Sequence, residues 1–217
     1  LHIYMPIEMV EPFQYDLSTY CYLPYKVILH GVDTTTKAVI YEDKSLTVES
    51  IPLEHRLPCM GFLFKEKPKA NILLPEKCKE YGIHYKEFNK IKNGEDYTMP
   101  DGRTIPNSEL TKPSEYVPKS YAYCSDTAYC PALVDQILKV NLLYHEATFT
   151  EKDKAQAMAA AHSTAAQAAD IAQKANVKQL AIGHYSVRYE NEDELLAEAK
   201  AIFSNTVATQ EGMVFEV

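Results

Sequence analysis

The chain has 217 residues, which is enough for one domain with a sizeable core and argues against a multidomain assembly. Hydrophobic residues make up 46% and charged residues 24% of it, with only 7 glycines, which excludes collagen-like, low-complexity and wholly disordered chains. The formal net charge of -8 excludes nucleic-acid binding through the overall electrostatic field, so an RNA partner would need a local basic site or a metal site.

The five cysteines are odd in number, and no two of them form a Cys-x-x-Cys pair. This pattern favours neither a disulfide framework nor a structural zinc knuckle, and it predicts a reducing, cytoplasmic compartment. No apolar run approaches the roughly 20 residues of a transmembrane helix, so we expect no membrane association. The chain begins at Leu1 without a methionine, and its first residues read like the inside of a strand, so we expect a further segment upstream.

The first third of the chain carries strand signals. Residues 25–32 and 38–51 are rich in Val, Ile, Leu, Tyr and Thr, and the polar break at 42–44 predicts a hairpin. A short strand is predicted over 61–64. Many lysines and prolines then lie between Lys65 and Pro118, which predicts an inserted arm, residues 65–118, within a domain that spans residues 1–217. Inside the arm, residues 74–81 predict a short helix, and Asn-Gly and Asp-Gly pairs at 93–94 and 101–102 predict tight turns.

The last third alternates between strand and helix signals. The segments that read as strands are 121–124, 141–144 and 178–182, and those that read as helices are 130–140, 151–176 and a last one opened by Asn191. The sequence Thr164-Ala165-Ala166-Gln167 has the pattern of a capping box, so the alanine-rich stretch is predicted to form two helices, with His162 just ahead of the second. Strands that alternate with helices predict an α/β layered sheet.

Four of the seven histidines, His55, His145, His162 and His184, lie at strand ends or at a helix start. Asp126 follows the predicted strand 121–124, where a carboxylate is costly unless a cation meets it. Because the carboxyl ends of parallel strands meet in one crevice, we expect these side chains to converge. Imidazole nitrogens and carboxylate oxygens are zinc ligands, so the pattern predicts a metal site.

Each of these residues also has a structural interpretation. A single histidine after a strand is more often a hydrogen-bonded residue than a ligand. Asp126, followed by Thr127, has the pattern of a helix N-cap. Cys124 and Cys130 read most simply as small buried apolar residues. Spacing alone leaves the metal site and these structural roles both open.

Four sequence blocks narrow the choice. They occur in the order Tyr121-Ala122-Tyr123-Cys124-Ser125-Asp126-Thr127, His145-Glu146-Ala147-Thr148-Phe149, His162-Ser163-Thr164-Ala165 and Gly183-His184-Tyr185-Ser186-Val187-Arg188-Tyr189. Together they closely resemble the ribonuclease Z family, the tRNA 3′-processing endoribonucleases of the metallo-β-lactamase superfamily, from about Leu1 to the C-terminus. The resemblance implies an α/β fold of the metallo-β-lactamase type, an αββα sandwich that is incomplete at the N-terminus and carries an inserted tRNA-binding arm.

The resemblance implies a role for each matching position. His55, Asp126 and His184 are expected to bind metal, with Asp126 bridging a pair of Zn²⁺ ions in each intact subunit and Mn²⁺ as the alternative metal. His162 is expected to donate a proton to the departing 3′ oxygen. Arg188 is expected to meet substrate phosphate, whereas His145 and Glu146 are expected to orient ligands rather than to bind metal. The expected reaction is hydrolysis of precursor tRNA that removes its 3′ trailer and leaves a 3′-hydroxyl, and the expected assembly is a homodimer.

The chain departs from the family in two places. The His-x-His-x-Asp-His motif, which supplies most metal ligands and a general base in the family, does not occur in these residues, so we expect this chain alone to be inactive. The arm lacks the family's Gly-Pro tip at residues 82–87. Its lysines, including Lys86, Lys90 and Lys92, are interleaved with aromatic residues, a pattern that is typical of RNA binding and equally of a solvated surface.

Two alternative functions follow from these departures. One is a general phosphodiesterase of the same superfamily, against which the arm argues because a small substrate needs no remote grip. The other is a non-catalytic binding or scaffold module, which the missing motif favours. The number of bound zinc ions separates the nuclease from the scaffold.

Overall fold

The computed structural model describes all 217 residues, Leu1 to Val217. Contacts between residues divide the chain into two compact units. Unit 1 comprises Leu1–Glu66 and Lys119–Val217, and unit 2, which we call the arm, comprises Lys67–Pro118. None of the helices combines the length and the apolar character that a membrane span requires.

Unit 1 begins with a strand, a helix and a second strand. β1 (His2–Pro6) pairs in parallel with β2 (Ile28–Val32), and α1 (Ile7–Tyr20) lies between them in sequence. The strand signal at 25–32 is confirmed by β2, but no sequence pattern predicts α1. The reason is that Pro12 lies in the interior of this helix, where proline is unfavourable, and that the helix buries none of its residues fully.

The next three strands form the antiparallel part of a large sheet. They are β3 (Ala38–Glu42), β4 (Leu46–Pro52) and β5 (Met60–Glu66). β3 pairs with β4 and β4 with β5, which confirms the predicted hairpin and the predicted strand after it.

The arm is built from short elements around a small apolar core of its own. Its strands are β6 (Ile72–Leu73), β7 (Tyr97–Thr98), β8 (Thr104–Ile105) and β9 (Thr111–Lys112), and its helices are α2 (Pro75–Glu80), α3 (Phe88–Lys92) and α4 (Asn107–Leu110). Ile91 and Leu110 are buried at the centre of that core. β7 and β8 form a hairpin whose turn contains Gly102 at a φ of 87°, which agrees with the turn predicted there.

Unit 1 continues with the parallel part of the sheet. Its strands are β10 (Ser120–Cys124), β11 (Leu142–Glu146), β12 (Gln179–Gly183) and β13 (Thr206–Ala208), and its helices are α5 (Leu133–Gln136), α6 (Lys154–Ala160), α7 (Ala165–Lys174) and α8 (Asp193–Ile202). β10 pairs in parallel with β11 and antiparallel with β5, so the seven strands have the order β13-β12-β11-β10-β5-β4-β3. The predicted α/β class is confirmed.

The predicted helix over residues 130–140 is wrong in its extent, since only Leu133–Gln136 is α-helical. Leu133, Ile137 and Val140 are buried, and this spacing resembles a helical stripe. The chain reaches these positions through turns instead, and Lys139 has a left-handed φ of 59°.

The core of unit 1 lies between one face of the sheet and the helices. Alanines of α7, among them Ala168, Ala169 and Ala172, are fully buried against strand residues such as Leu143 and Leu180. Their small side chains let the helix pack closely on the sheet. The packing places the start of α7 close to the ends of β11 and β12.

Candidate active site

Three parallel strands deliver side chains to one edge of the sheet. β10, β11 and β12 are in register, with Cys124 opposite His145 and His145 opposite Ile182. Asp126 follows β10 and His184 follows β12, and both adopt left-handed backbone conformations, with φ of 58° and 61°. Such φ values are uncommon for residues that have a β-carbon, and they concentrate at functional sites.

Asp126, His162 and His184 converge at this edge. One potential ligand atom from each lies within 4.8 Å of the others. The Nε2 atom of His184 is 3.1 Å from Oδ1 of Asp126, and the rings of His162 and His184 stack with centroids 5.2 Å apart. His55 lies beside the cluster with its ring centroid 5.0 Å from that of His162, but it is not one of the three residues whose ligand atoms converge.

Two helix ends hold the backbone of His162. The residue before it, Ala161, ends α6 with a left-handed φ of 58°, and the backbone N–H of His162 donates to the Ala157 carbonyl over 2.9 Å. Thr164 then caps α7 through a capping box with Gln167, as the sequence predicts. His162 is therefore held between two fixed termini rather than on a free loop.

Glu146 is the buried centre of the hydrogen bonding around the site. Its side chain is fully buried at the end of β11. Oε1 accepts from the His162 Nδ1 over 2.6 Å and from the Thr127 N–H over 2.8 Å. Oε2 accepts from the Thr148 hydroxyl over 2.6 Å and from the Ser163 N–H over 3.1 Å. The carboxylate thus fixes the His162 ring and joins the segments that follow β10, β11 and α6.

His55 lies in the loop after β4, and its ring is oriented by a backbone group. Its Nδ1 is 2.9 Å from the carbonyl oxygen of Ala161. A carbonyl only accepts, so Nδ1 carries the hydrogen and Nε2 keeps a free lone pair. The loop is tied to the turn after β10, because the Ala128 N–H donates to the Glu54 carbonyl over 2.6 Å.

The N-cap interpretation of Asp126 is wrong. The next helix, α5, begins at Leu133, its N-cap is Ala132, and no side chain caps it. The Asp126 backbone is instead contacted by Cys59, whose thiol donates to the Asp126 carbonyl oxygen over 3.1 Å. Burial raises the pKa of Cys59 to about 11, and the Asp126 and Glu146 carboxylates add to that shift, so the sulfur stays a thiol.

His145 and Arg188, two further residues predicted to belong to the site, have partners of their own. His145 is fully buried, its Nδ1 lies 2.7 Å from the Glu146 carbonyl oxygen, and its Nε2 has no hydrogen-bond partner. Arg188 is exposed, and its guanidinium lies 3.2 Å from Oδ1 of Asp153 and 4.9 Å from the Phe149 ring centroid. A phosphate would compete with Asp153 for Arg188.

The lysines predicted to bind RNA lie on the arm. Lys86, Lys90 and Lys92 are exposed on the short helical segments 85–92. Lys90 pairs with Glu87 at 3.1 Å.

Sequence reasoning missed the hydroxyl and amide groups that orient the site. Thr127, Thr148 and Ser163 all bond Glu146, and Thr148 also lies 2.9 Å from Nδ1 of His184. Each lies inside one of the four sequence blocks, within two positions of a residue to which a role is assigned, and this membership is the signal that points to them.

The sheet with its helical layer and the His/Asp cluster at the strand ends define a protein of the metallo-β-lactamase fold. The crystal structure of the metallo-β-lactamase fold protein YhfI from Bacillus subtilis superposes with a TM-score of 0.61 and 18% identity, over all of this chain and 65% of that one. Human tRNase Z, short form, superposes with a TM-score of 0.61 and 16% identity, over 99% of this chain and 67% of that one. At these identities the likeness concerns the fold alone.

Sequence relatives identify the family. No family model matches the chain. The chain is 49% identical to Ribonuclease Z of Bacteroides fragilis (strain YCH46) over 214 residues, and this match covers 98% of the chain and 70% of that protein. It is 48% identical over 215 residues to Ribonuclease Z of Porphyromonas gingivalis (strain ATCC BAA-308 / W83), again over 98% of this chain and 70% of that protein. The chain belongs to the ribonuclease Z family.

Proposed function

We propose that this chain is part of a zinc-dependent endoribonuclease that removes the 3′ trailer of precursor tRNA by hydrolysis and leaves a 3′-hydroxyl. The observation that carries the proposal is the cluster of Asp126, His162 and His184 at the strand ends, in a chain of the ribonuclease Z family. The names of the similar proteins, Ribonuclease Z and tRNase Z, support tRNA as the substrate.

The cluster, with His55 beside it, offers imidazole nitrogens and a carboxylate, which are groups that zinc binds. We assign His55, Asp126 and His184 as residues that would hold a pair of Zn²⁺ ions, with Mn²⁺ as the alternative metal. His55 offers Nε2 because its Nδ1 is bonded to a carbonyl, and Nε2 of His184 faces the Asp126 carboxylate. When bound, zinc supplies positive charge for the phosphate and lowers the pKa of a water molecule towards neutrality.

We assign the leaving-group proton to Nε2 of His162. Because Nδ1 of His162 bonds the buried Glu146 carboxylate, its other nitrogen is directed away from Glu146 and can give a proton to the departing 3′ oxygen. Glu146 holds the ring in that orientation and stabilises the charged imidazolium, as the aspartate does in a Ser-His-Asp triad. Arg188 would meet substrate phosphate after release from Asp153.

The test of this assignment compares two substitutions in the natural protein that contains this chain. Asp126→Ala is expected to lose both bound zinc and cleavage of precursor tRNA. His162→Ala is expected to retain zinc, measured by mass spectrometry of the purified protein, and to cleave about 10²- to 10⁴-fold more slowly. Zinc-loaded protein that cleaves only a small phosphodiester would favour the general phosphodiesterase, and protein without zinc would favour the scaffold module.

We propose that the 217 residues are inactive on their own. The proposal rests on the missing His-x-His-x-Asp-His sequence and on the three remaining ligand residues, which leave no general base. The test incubates this chain with Zn²⁺ and precursor tRNA beside the protein translated from the complete reading frame. Equal cleavage rates would refute the proposal.

We propose that the arm grips tRNA through Lys86, Lys90 and Lys92. The arm, residues 67–118, has nine Lys or Arg and eight Asp or Glu side chains, a formal charge of +1, whereas the rest of the chain has thirteen and twenty-two, a formal charge of -9. The arm is thus the less repulsive surface for a phosphate backbone.

Exchange of these three lysines for glutamate is expected to weaken tRNA binding and to flatten its salt dependence, without changing hydrolysis of a small phosphodiester. The matched control exchanges three exposed lysines of unit 1, Lys139, Lys178 and Lys200, for glutamate, with the same change in net charge. Equal loss of tRNA binding in both variants would show that total charge, not the arm, determines affinity.

We also propose a homodimer in the cytoplasm. All five cysteines are free thiols, which supports a reducing compartment. Light scattering of the purified natural protein tests the dimer, and a monomeric mass at micromolar concentration would contradict it.

A further inference from the structure

A groove of about 630 Å³ lies beside His162. Its walls come from α6, from the first turns of α7, from the end of α8 and from the turn after β10. His162 lines this groove and also belongs to the His/Asp cluster, so the groove is continuous with the candidate active site. Its volume is within the roughly 300–1,000 Å³ that small-molecule sites occupy.

The surface of the groove is largely apolar. Met158 of α6, Ile202 of α8 and the ring of Tyr129 line it. Met158 is 70% exposed, so its side chain is available to a ligand. A methionine sulfur makes favourable contacts with aromatic rings, and the flexible side chain adapts to their shape. An aromatic ring system is therefore a suitable occupant.

The charged groups of the groove are already paired within the protein. Glu151 forms an ion pair with Lys154 over 2.5 Å. Asp170 accepts from the Tyr129 hydroxyl over 2.5 Å and from the Lys174 ammonium over 2.8 Å. Because each carboxylate is balanced by a lysine, the groove offers no unpaired positive charge and does not favour a phosphate group.

Gln167 supplies a free hydrogen-bond donor in the groove. Its Oε1 accepts from the Thr164 N–H over 2.9 Å in the capping box, so the orientation of the amide is fixed and Nε2 carries the two hydrogens. Nε2 has no partner within the protein, so these hydrogens are available to acceptor atoms of a ligand. Every nucleobase has acceptor atoms on its edges and an aromatic face. A neutral donor beside an apolar surface therefore matches a nucleobase.

We propose that the groove binds the base of the nucleotide on the 5′ side of the scissile phosphodiester. In the proposed function His162 gives a proton to the 3′ oxygen of that nucleotide, so the ribose lies against His162. The base is attached to the same ribose and therefore reaches the groove that His162 lines. The first nucleotide of the trailer lies on the other side of the phosphate. This inference rests on the proposed function, because it names a subsite for the substrate of that reaction.

The first experiment uses Met158 as a reporter and involves no cleavage. The natural protein that contains this chain is labelled with ¹³C at its methionine methyl groups, and the Met158 resonance is assigned with Met158→Leu. The probe is adenosine 5′-monophosphate, which has the base, the 5′ phosphate and the free 3′-hydroxyl of an RNA 3′ end. At millimolar concentration it is expected to shift the Met158 methyl resonance through the ring current of the base. Met213, which is also exposed, is expected to stay unshifted.

The matched probe for the first experiment is ribose 5-phosphate, which lacks the base and is expected to shift neither methionine. An unshifted Met158 with adenosine 5′-monophosphate would overturn the inference. An equal shift with ribose 5-phosphate would overturn it as well, because the groove would then bind the sugar phosphate rather than the base.

The second experiment identifies the nucleotide whose base occupies the groove. Dissociation constants of precursor tRNA are measured with a chelator present, so that no cleavage occurs. Removal of the base on the 5′ side of the cleavage site is expected to weaken binding about tenfold for the unaltered protein but only about threefold for Met158→Ala. Removal of the base on the 3′ side is expected to weaken binding equally for both proteins. The control Met213→Ala is expected to respond to both removals as the unaltered protein does.

These outcomes separate the inference from the proposed function. Equal losses for Met158→Ala and the unaltered protein when the 5′-side base is removed would overturn the inference. A smaller loss for Met158→Ala with the 3′-side base alone would also overturn it, because the groove would then belong to the trailer. A natural protein that binds no precursor tRNA would instead count against the proposed function, and the experiment with adenosine 5′-monophosphate would still decide whether the groove binds a nucleobase.

Discussion

Replacement of Glu146 by glutamine tests whether this carboxylate holds the site together. The substitution keeps the shape of the side chain but replaces one oxygen by an NH₂ group. Whichever oxygen is replaced, the new donor faces two existing donors: His162 and the Thr127 N–H at one position, or the Thr148 hydroxyl and the Ser163 N–H at the other. Glu146 is fully buried, so water cannot compensate the lost bonds.

The expected loss of stability is large. Hydrogen bonds to a charged group contribute about 1.5–3 kcal/mol each, and the substitution removes the acceptor of two of them. We therefore expect Glu146→Gln to lower the free energy of unfolding by about 3–5 kcal/mol. The free energy of unfolding of a typical domain is only about 5–15 kcal/mol, so a loss of this size is readily measured.

The assay is urea denaturation followed by circular dichroism at pH 7 with a chelator present, so that metal loss does not contribute. The matched control is Glu198→Gln. Glu198 accepts the backbone N–H groups of Glu151 and Ala166, and both can bond one retained oxygen, so the expected cost is about 1 kcal/mol or less. If the free energy of unfolding of Glu146→Gln differs by less than about 1 kcal/mol from that of the unaltered chain, the conclusion that Glu146 organises the site is refuted.

Three further predictions concern single residues of unit 1. Gly183→Ala would place a β-carbon against the Tyr144 hydroxyl and is expected to cost about 1–3 kcal/mol in urea denaturation, part of which a second substitution, Tyr144→Phe, recovers. Thr164→Ala removes the N-cap of α7 and is expected to cost about 1 kcal/mol by the same measurement, whereas an unchanged value would show that Gln167 alone caps the helix. Burial lowers the pKa of His145 below its ordinary 6.5, so at pH values below 6.5 the unfolded chain binds a proton on this histidine more readily than the folded chain does. The free energy of unfolding is therefore expected to keep its full value above pH 6.5 and to decrease as the pH falls below it. His145→Gln is expected to reduce that decrease.

The parallel strands of unit 1 were predictable because their signals are local. Buried parallel strands read as continuous apolar runs, and the segments 121–124, 141–144 and 178–182 became β10, β11 and β12 with small changes at their ends. The capping box at Thr164 is a local signal as well, since all its groups lie within four residues. By contrast, α1 and β13 have no such signal, because the first buries no side chain and the second has only three residues.

The site was predictable at its strand ends and less so elsewhere. Asp126 and His184 each follow a predicted strand, and the parallel order brings them together. Arg188 forms an ion pair with Asp153, which lies 35 positions away in sequence. The residues next to Arg188 in sequence give no signal that predicts this pair. The placement of His55 beside His162 likewise depends on the Ala161 carbonyl, which is more than a hundred positions away.

The sequence by itself determined the α/β class, the strands that present Asp126 and His184, and the family, because these depend on local periodicity and on contiguous blocks of residues. Only the tertiary structure decided that the ligand atoms of Asp126, His162 and His184 converge without those of His55 and His145, and that one buried carboxylate bonds the His162 ring and the Thr148 hydroxyl. The physical reason is that a hydrogen bond has a direction and needs a partner within about 3 Å, and partners far apart in sequence meet only when the chain has folded.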